Sequence, residues 1–468
     1  MIDTSALEPG AAPRPPAIDL PYRQRLKVLH EFHVGGEIAR RTGPVAELNL
    51  GPTWLGVPRV VFVTSPRGAH DVLGGFDGTF DKEQVVHVQG RLLAGSNLFN
   101  LPHLPWQSRR RAVQPVFTKR NVASYARDIH AVARSSVDDW IGRGEIDLDN
   151  ATRRLTLEVL GRSVFGMDLG PLAEVIAPHV QRYIAYPTRR ATQPVRLPRW
   201  WPTRRRARFL AARSALRGLA AEAVRRARSD PTHHAPLVRR LIEATDPETG
   251  HGLSDLAIVD DLITFLIAGH DTTATTLAHT LWQLARNPDM QQRVADEVSR
   301  LGDRPLTVED VTALPYTGQV LCETLRLCPA AAAVGRLAMR DAVVDGYRID
   351  AGVNLVVSTY AIQRDPTLWS DPLRFDPDRF EPARAKAIDR WQYLPFGAGP
   401  RSCIGDHFAM LEATLALAAI VQRARFTSDQ PDFPVIVPFT LVAAGPVRAT
   451  VTRRSARQQP AVETVGYA

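Results

Sequence analysis

Phe396-Gly-Ala-Gly-Pro-Arg-Ser-Cys-Ile-Gly405 decides the reading of this 468-residue chain. Gly397, Gly399 and Gly405 allow sharp bends and a close approach to a flat ligand, and the turned peptide N–H groups of such a loop can point at the Cys403 sulfur. The apolar run Phe408-Ala-Met-Leu-Glu-Ala-Thr-Leu-Ala-Leu-Ala-Ala-Ile420 follows directly and has the character of a buried helix. Cys403 would then sit at a helix N-terminus, where the dipole favours the thiolate. A buried thiolate needs a metal. A solitary cysteine is more often a small buried hydrophobe, so the spacing around Cys403 must carry the argument.

Composition narrows the class. The hydrophobic content of 44% over 468 residues supports a large core. The three cysteines, Cys322, Cys328 and Cys403, form no C-x-x-C pair, which argues against a disulfide framework or zinc site and for a reducing compartment, the cytoplasm. Met1 to Leu20 is rich in Pro, Gly and Ala, carries Asp3, Glu8, Arg14 and Asp19, and has no apolar run long enough to span a bilayer. The net charge of +9 suits nucleic acid, an acidic protein or an anionic membrane surface. No zinc-finger, helix-turn-helix or RNP pattern accompanies the arginines, so nucleic acid is not an expected partner.

Val45-Ala-Glu-Leu-Asn-Leu50 and Arg59-Val-Val-Phe-Val-Thr64, separated by Gly51, Pro52, Gly56 and Pro58, predict a hairpin of a small sheet. Phe76 to Pro105, punctuated by Gly78, Gly90, Gly95, Pro102 and Pro105, reads as a long loop-rich wall of a binding site. Val122 to Ala227 reads as helices broken at Gly142 to Gly144, at Gly170-Pro171 and from Pro187 to Pro202. Between Arg182 and Arg228 the only acid is Glu222.

A helix is predicted from the N-cap Ser254 to Arg286, stopped by Asn287-Pro288 and roughly 48 Å long. Ala268-Gly-His-Asp-Thr-Thr273 lies midway, after the apolar run Leu262 to Ala268. Gly269 leaves space for something flat, Thr272 can divert a helical carbonyl through its hydroxyl, and Asp271 adds a buried carboxylate. An acid and an alcohol together suggest proton delivery. Asp345 to Gly352 and Pro434 to Val451 read as hairpins, the second with its tip at Pro438-Phe-Thr-Leu441.

The pattern Phe396-x-x-Gly399-x-Arg401-x-Cys403-x-Gly405 resembles, at every fixed position, the signature of the cytochrome P450 family. Four further stretches resemble that family's motifs in order: Trp106-x-x-x-Arg110, Ala268 to Thr273, Glu323-x-x-Arg326, and Phe375-Asp-Pro-Asp-Arg379-Phe. With Cys403 they span roughly two-thirds of the chain. The resemblance implies a mainly α fold with a small β-rich lobe: one heme domain over 21–453 between flexible tails at 1–20 and 454–468. It implies heme b held by Cys403 as axial iron ligand and contacted by Trp106, Arg110, Ala268, Gly269, Arg336, Phe396, Gly397, Arg401 and Gly405, with Trp106, Arg110 and Arg336 on the propionates. It further implies proton delivery to dioxygen by Asp271 and Thr272, and a buried triad of Glu323, Arg326 and Arg379. The substrate pocket it implies is lined by Ala268, Ala332, Ala333, Val334, Phe439 and Thr440.

The expected activity is insertion of one oxygen atom from O2 into a lipophilic small molecule, with Phe396 to Leu417 most similar to bacterial terpene and fatty-acid hydroxylases. The alternatives are a heme carrier, or a heme enzyme of peroxide-driven or isomerising chemistry; the intact Asp271-Thr272 pair speaks against both. No flavin or ferredoxin motif lies in the sequence, so electrons are expected from a ferredoxin with its reductase or from a flavodoxin, docking on Arg109, Arg111, Lys119 and Arg120. Leu197 to Arg208, with Trp200, Trp201, Arg199, Arg204, Arg205 and Arg206, is expected to touch a membrane surface weakly.

Overall fold

The helices that frame the site are α1 (Val85–Ala94), α2 (His103–Val113), α3 (Ala126–Arg143), α4 (Leu148–Leu160), α5 (Ala173–Thr192), α6 (Arg204–Ser229), α7 (Asp255–Arg286), α8 (Pro315–Leu327) and α9 (Asp406–Arg423), with further helices and turns between them. The computed structural model describes every residue except 1–10, 52–56, 58, 193–197, 199, 231–234, 438 and 455–468.

Helix α7 is the axis of the molecule. Its predicted start holds: the Ser254 hydroxyl accepts from the Ala257 N–H at 3.3 Å and so satisfies one of the free donors of the first turn. Every residue from Leu277 to Ala285 is buried, so this half has no solvent face. Helix α4 lies along its middle, where the Thr152 and Thr156 hydroxyls donate to the carbonyls of Ala274 and His270 at 2.9 and 3.2 Å. Helix α9, the apolar run after Cys403, is buried from Leu411 to Val421 and packs against α3 and α7.

The β-rich lobe centres on a six-stranded mixed sheet of β1 (Ala17–Asp19), β2 (Val45–Asn49), β3 (Val60–Val63), β4 (Phe80–Asp81), β5 (Val334–Ala338) and β6 (Asn354–Val357), in the order β1-β2-β3-β6-β5-β4. Strands β2 and β3 form the predicted antiparallel hairpin, with Val45 opposite Val63. Alternation along β3 feeds two apolar clusters, Val61 and Val63 on one face and Val60 and Phe62 on the other. The 345–352 hairpin also forms: Ala342–Val344 pairs with Tyr347–Ile349 around Asp345-Gly346, whose φ values of 45° and 83° suit a tight two-residue turn. At the last expected hairpin Val435–Ile436 pairs with Val442–Ala443, while Pro438 of its tip lies outside the described residues.

Two expectations need correction. The stretch from Phe76 to Pro105 is not one long loop, because it contains strand β4 and the ten-residue helix α1. Gly90 hid that helix in the sequence, and a tertiary anchor sets its start: the Gln84 amide donates to the Arg336 carbonyl at 2.9 Å. Nor does Pro187 break the chain, since α5 runs through both Pro178 and Pro187 to Thr192. Pro187 removes one helical hydrogen bond, and nearby Thr188 donates its hydroxyl to the Ile184 carbonyl at 2.9 Å.

Candidate active site

The loop from Phe396 to Gly405 is built around its glycines. Gly397 and Gly399 have φ values of 66° and 71°, which L side chains rarely adopt. At Gly399 a Cβ would also fall 1.8 Å from the Leu73 carbonyl oxygen, so no other residue fits. The Cys403 N–H donates to the Phe396 carbonyl at 2.8 Å, closing the loop. Cys403 is exposed, yet protein surrounds it closely enough for burial to push its thiol up, so its open side faces an interior space rather than bulk solvent. The Gly405 N–H and the Arg110 guanidinium pull the other way. Burial prevails over them, and the thiolate needs a metal cation on the sulfur.

The resemblance put Arg110 on a propionate. Its Nη1 instead donates to the Ser402 carbonyl at 3.1 Å, beside Cys403. The other cations converge elsewhere. Pairing of β4 with β5 sets Asp81 opposite Leu337, next to Arg336. Arg401 pairs with Asp81 at 2.6 Å, donates to the Leu101 carbonyl at 3.0 Å and stacks 4.3 Å from the Trp106 ring centre. Arg336 is 3% exposed and its guanidinium donates to the Gly335 carbonyl at 2.9 Å, its one side-chain hydrogen bond among the described residues; burial and Arg401 push it down to about 10. Lys82 is also buried, donates to the Phe99 carbonyl at 2.9 Å, and is pushed well below its usual range, chiefly by burial. His87 beside it is held neutral by burial and then by Lys82.

Among the described residues Lys82, Arg336 and Arg401 thus share one close carboxylate, Asp81, which also accepts from the His103 N–H at 2.8 Å, while Glu83, which also acts on Arg401, is paired with Arg91. Buried charge without a counter-charge is unfavourable, and a ligand carrying two carboxylates would balance it. With Cys403 as a soft thiolate donor, this set fits a heme: Cys403 for the iron, and Lys82, Arg336, Arg401 and Trp106 for the propionates.

Two faces of α7 divide the labour near its middle. Ala268 is exposed in the middle of α7, between buried Leu266 and buried His270, and Thr272, one turn on, donates its hydroxyl to the Ala268 carbonyl at 2.5 Å. That hydroxyl loads the carbonyl with a second donor and loosens the helix there. His270 and Asp271 point the other way, towards α4. His270 is buried with Nδ1 at 3.2 Å from the Thr156 hydroxyl, and burial holds its ring at about 4, hence neutral. Asp271 is buried and ion-paired with Arg153 of α4. Gly269 also belongs to that packing: a Cβ there would lie 3.1 Å from Leu160 of α4, so its missing side chain admits a helix and not the flat ligand expected from the sequence.

The expected triad assembles. Glu323 accepts from Arg326 Nε and Nη2 at 2.7 and 2.8 Å and from Arg379 Nε at 3.4 Å. Arg326 also donates to the carbonyls of Gln363, Pro372 and Arg374, so its donors are well used. Of the expected pocket residues, Ala332 is 1% exposed and packs with Cys328, Val437 and Leu441, which removes it from any pocket wall. Ala333, Val334 and Thr440 are half-buried. Phe439 is exposed and meets Phe99 edge-to-face at 5.6 Å, with the Phe99 ring resting on Lys82 Nζ at 3.7 Å. Sequence reasoning missed Lys82, Asp81, His87, Phe99 and Arg153; the partners of Asp81 and Arg153 are distant in sequence, and Lys82, His87 and Phe99 acquire meaning only through burial and mutual contact.

Two of the four expected docking cations are already paired. Arg109 pairs with buried Asp261 at 2.7 Å, and Arg111 with Asp246 at 2.8 Å and Glu248 at 3.1 Å. Lys119 and Arg120 remain exposed, with no ion pair among the described residues. In the expected membrane segment, Trp200 and Trp201 are 69% and 47% exposed; Leu197 and Arg199 lie outside the described residues.

A cysteine loop opening on the interior, a long helix with an alcohol on its open face and a set of unmatched buried cations together point to the class of heme-thiolate oxygenases. The family model "Cytochrome P450" matches residues 18–452, and the chain belongs to that family. It is 33% identical over 387 residues to cyclooctat-9-en-7-ol 5-monooxygenase of Streptomyces melanosporofaciens, covering 82% of each chain. It is 30% identical over 397 residues to pentalenene oxygenase of Streptomyces avermitilis, covering 84% of this chain and 86% of the other. The crystal structure of a mutant cytochrome P450DA heme domain superposes with a TM-score of 0.82 at 26% identity, covering 95% of this chain and 98% of that one. The protein is therefore a cytochrome P450 monooxygenase whose cofactor is heme on a cysteine thiolate. Among the described residues no helix is long and apolar enough to cross a membrane.

Proposed function

We propose that this protein hydroxylates a cyclic terpene or a similarly lipophilic metabolite in the cytoplasm, as one heme domain over residues 21–453 fed by a separate ferredoxin system or flavodoxin. Heme, when bound, supplies the activation of O2. The chain supplies the rest. Cys403 holds the iron. The cations Lys82, Arg336 and Arg401 fix the propionate edge. Ala268, Phe99 and Phe439 present apolar surface to the substrate and exclude water. Arg110 steadies the Cys403 loop through Ser402, and Lys119 and Arg120 are left to meet an acidic partner.

The observation that carries the oxygenase reading is Thr272, whose hydroxyl sits on the open face of α7 beside Ala268 with Asp271 at its back. A hydroxyl there holds a proton-donating water in place. Thr272→Ala should leave substrate affinity unchanged while electrons from NADPH are diverted to hydrogen peroxide; unchanged coupling of NADPH to product would remove the proton-relay role. The terpene reading draws on the two Streptomyces relatives, named for oxidising cyclooctat-9-en-7-ol and pentalenene. A screen of substrate-induced spectral shifts against terpenes, fatty acids and steroids tests it, and shifts only with linear fatty acids would overturn it.

A further inference from the structure

Helix α1 turns one large side chain inward, and that side chain is a histidine. His87 and Ala94 are its buried residues, while Val85, Val86, Val88 and Leu93 around them are half-buried and Leu92 is exposed. A helix with five aliphatic residues has thus placed an imidazole on its inner face, and a buried polar group is unfavourable unless something bonds it. His87 makes no side-chain hydrogen bond or ion pair among the described residues, and its ring nitrogens are not among the unpartnered atoms that protein encloses fully. The imidazole is therefore surrounded by protein yet keeps a nitrogen open to the interior.

That open side belongs to the substrate space. The His87 ring meets the Phe99 ring at 5.2 Å and Phe99 meets Phe439 at 5.6 Å, so the imidazole interrupts the apolar wall that the two phenylalanines form. The charges acting on it are Lys82, Arg336, Arg401 and Arg91, all of them cations. Arg91 is matched by Glu83 at 2.7 Å, and Asp81 matches one of the other three. Two cations remain, and the two propionates of a heme balance them. No positive charge is left for a third anion, and burial together with those cations holds His87 neutral. A neutral imidazole carries one N–H donor and one bare nitrogen acceptor, so the partner that suits it is an uncharged oxygen.

We propose that His87 is a specificity-determining residue that hydrogen-bonds a hydroxyl or carbonyl oxygen already present on an otherwise apolar cyclic substrate. The inference rests on the terpene-hydroxylase reading and narrows it: the substrate is an oxygenated terpene rather than a hydrocarbon or a carboxylic acid. A hydrocarbon leaves the buried imidazole without a partner, and a carboxylate adds a charge that nothing there matches. Anchored at one oxygen, the ring system presents one face to the heme, which selects the carbon that is hydroxylated. The reaction that supplies the substrate must then be one that installs oxygen, either a terpene cyclisation ended by water or an earlier hydroxylation.

The test is spectral titration of the heme-loaded protein with p-menthane, menthol, menthone and p-menthane carboxylic acid, and with cedrane and cedrol as a larger pair. Two variants are compared with the parent: His87→Phe keeps a ring against Phe99 without nitrogens, and His87→Gln keeps a donor and an acceptor. The parent should bind each alcohol about tenfold more tightly than its hydrocarbon, and the acid no better than the hydrocarbon. His87→Phe should erase that preference by weakening the alcohols and not the hydrocarbons, and His87→Gln should restore part of it. Turnover of menthol with a surrogate ferredoxin system should give one main product in the parent and a mixture in His87→Phe. The proposal is overturned if the parent binds hydrocarbon and alcohol equally, a result that needs no variant to fold, or if His87→Phe keeps the alcohol preference. Transfer of heme to apomyoglobin identifies the other partner an open imidazole could have: faster heme loss from His87→Phe with an unchanged alcohol preference would assign His87 to a propionate and overturn the proposal. If none of the terpenoids binds, the terpene reading falls and this inference with it, whereas hydrocarbons that bind as well as alcohols remove only the role of His87.

Discussion

Arg326 and Arg336 lie only ten residues apart and are both buried, at 0% and 3% exposure, yet their surroundings differ in kind. Arg326 spends its donors on Glu323 and three carbonyls. Arg336 has no acid of its own, and its nearest charged neighbours include two more cations, Lys82 and Arg401. A saturated buried charge locks a fold, whereas an unsaturated one asks for a ligand. The region around α8 is thus finished by the chain itself, and the region around β4 and β5 is finished by something the chain binds.

The largest effect should come from the ligand side. Cys403→Ser replaces the thiolate donor with a hydroxyl, a poor ligand for heme iron, so the variant should fold and lose the thiolate spectrum of the reduced carbonyl complex altogether. A parent-like spectrum would mean that another residue holds the iron. The two arginines should then separate. Arg326→Ala strands Glu323 in the interior, and breaking such a buried pair costs about 3–5 kcal/mol. Arg336→Ala removes an unpaired buried cation, so the heme-free protein should lose no comparable stability, while heme affinity falls about 10- to 100-fold. Denaturant titration of both variants with and without heme checks this, and equal destabilisation without heme would erase the distinction.

The same contrast explains what the sequence made legible. Cys403, the Glu323-Arg326 pair, the Ser254 cap and the length of α7 each show in a short window, because loop glycines, helical spacing and capping are local signals. Lys82 and Asp81 acquire meaning only when β4 pairs with β5, more than 250 residues later, and a lone lysine in a presumed loop gives no sign of burial. Gly269 was visible but ambiguous, since a missing side chain suits a cofactor or a helix equally well, and only Leu160 shows which. Arg109 looked like a surface cation because its partner Asp261 lies on another helix.

Buried histidines sharpen the comparison by pH. His279 of α7, packed against Trp282 and Phe433, is held by burial at about 3 against an ordinary 6.5. The unfolded chain binds the proton that the folded chain refuses, so the contribution of His279 is fully present above pH 6.5 and is lost as pH falls from there towards 3. His279→Phe should flatten the acid side of the stability profile by a few kcal/mol, leaving the slope that the other buried histidines, His87 and His270 among them, contribute. Melting temperatures of the parent and His279→Phe that fall in parallel between neutrality and acid would show that His279 protonates without penalty.

The smallest effect concerns unmatched cations at the surface, where water screens what burial magnifies inside. Arg109 and Arg111 of α2 are neutralised by Asp261, Asp246 and Glu248. Arg204, Arg205 and Arg208, at the start of α6, are exposed and have no ion pair among the described residues. Trp200 and Trp201 stand beside them with ring centres 5.6 Å apart, the kind of aromatic pair that settles at a lipid headgroup boundary. Each such cation contributes about 1 kcal/mol near an anionic membrane surface, so three would give weak, reversible and strongly salt-dependent attachment. Vesicle co-sedimentation at low salt should show binding to anionic but not neutral vesicles, reduced by Trp200→Ala with Trp201→Ala and further by Arg204→Glu with Arg205→Glu. If the aromatic variant binds as the parent does, the attraction is electrostatic alone and the tryptophans do not enter the interface; if the parent does not bind anionic vesicles at all, these arginines serve only to keep the surface hydrated.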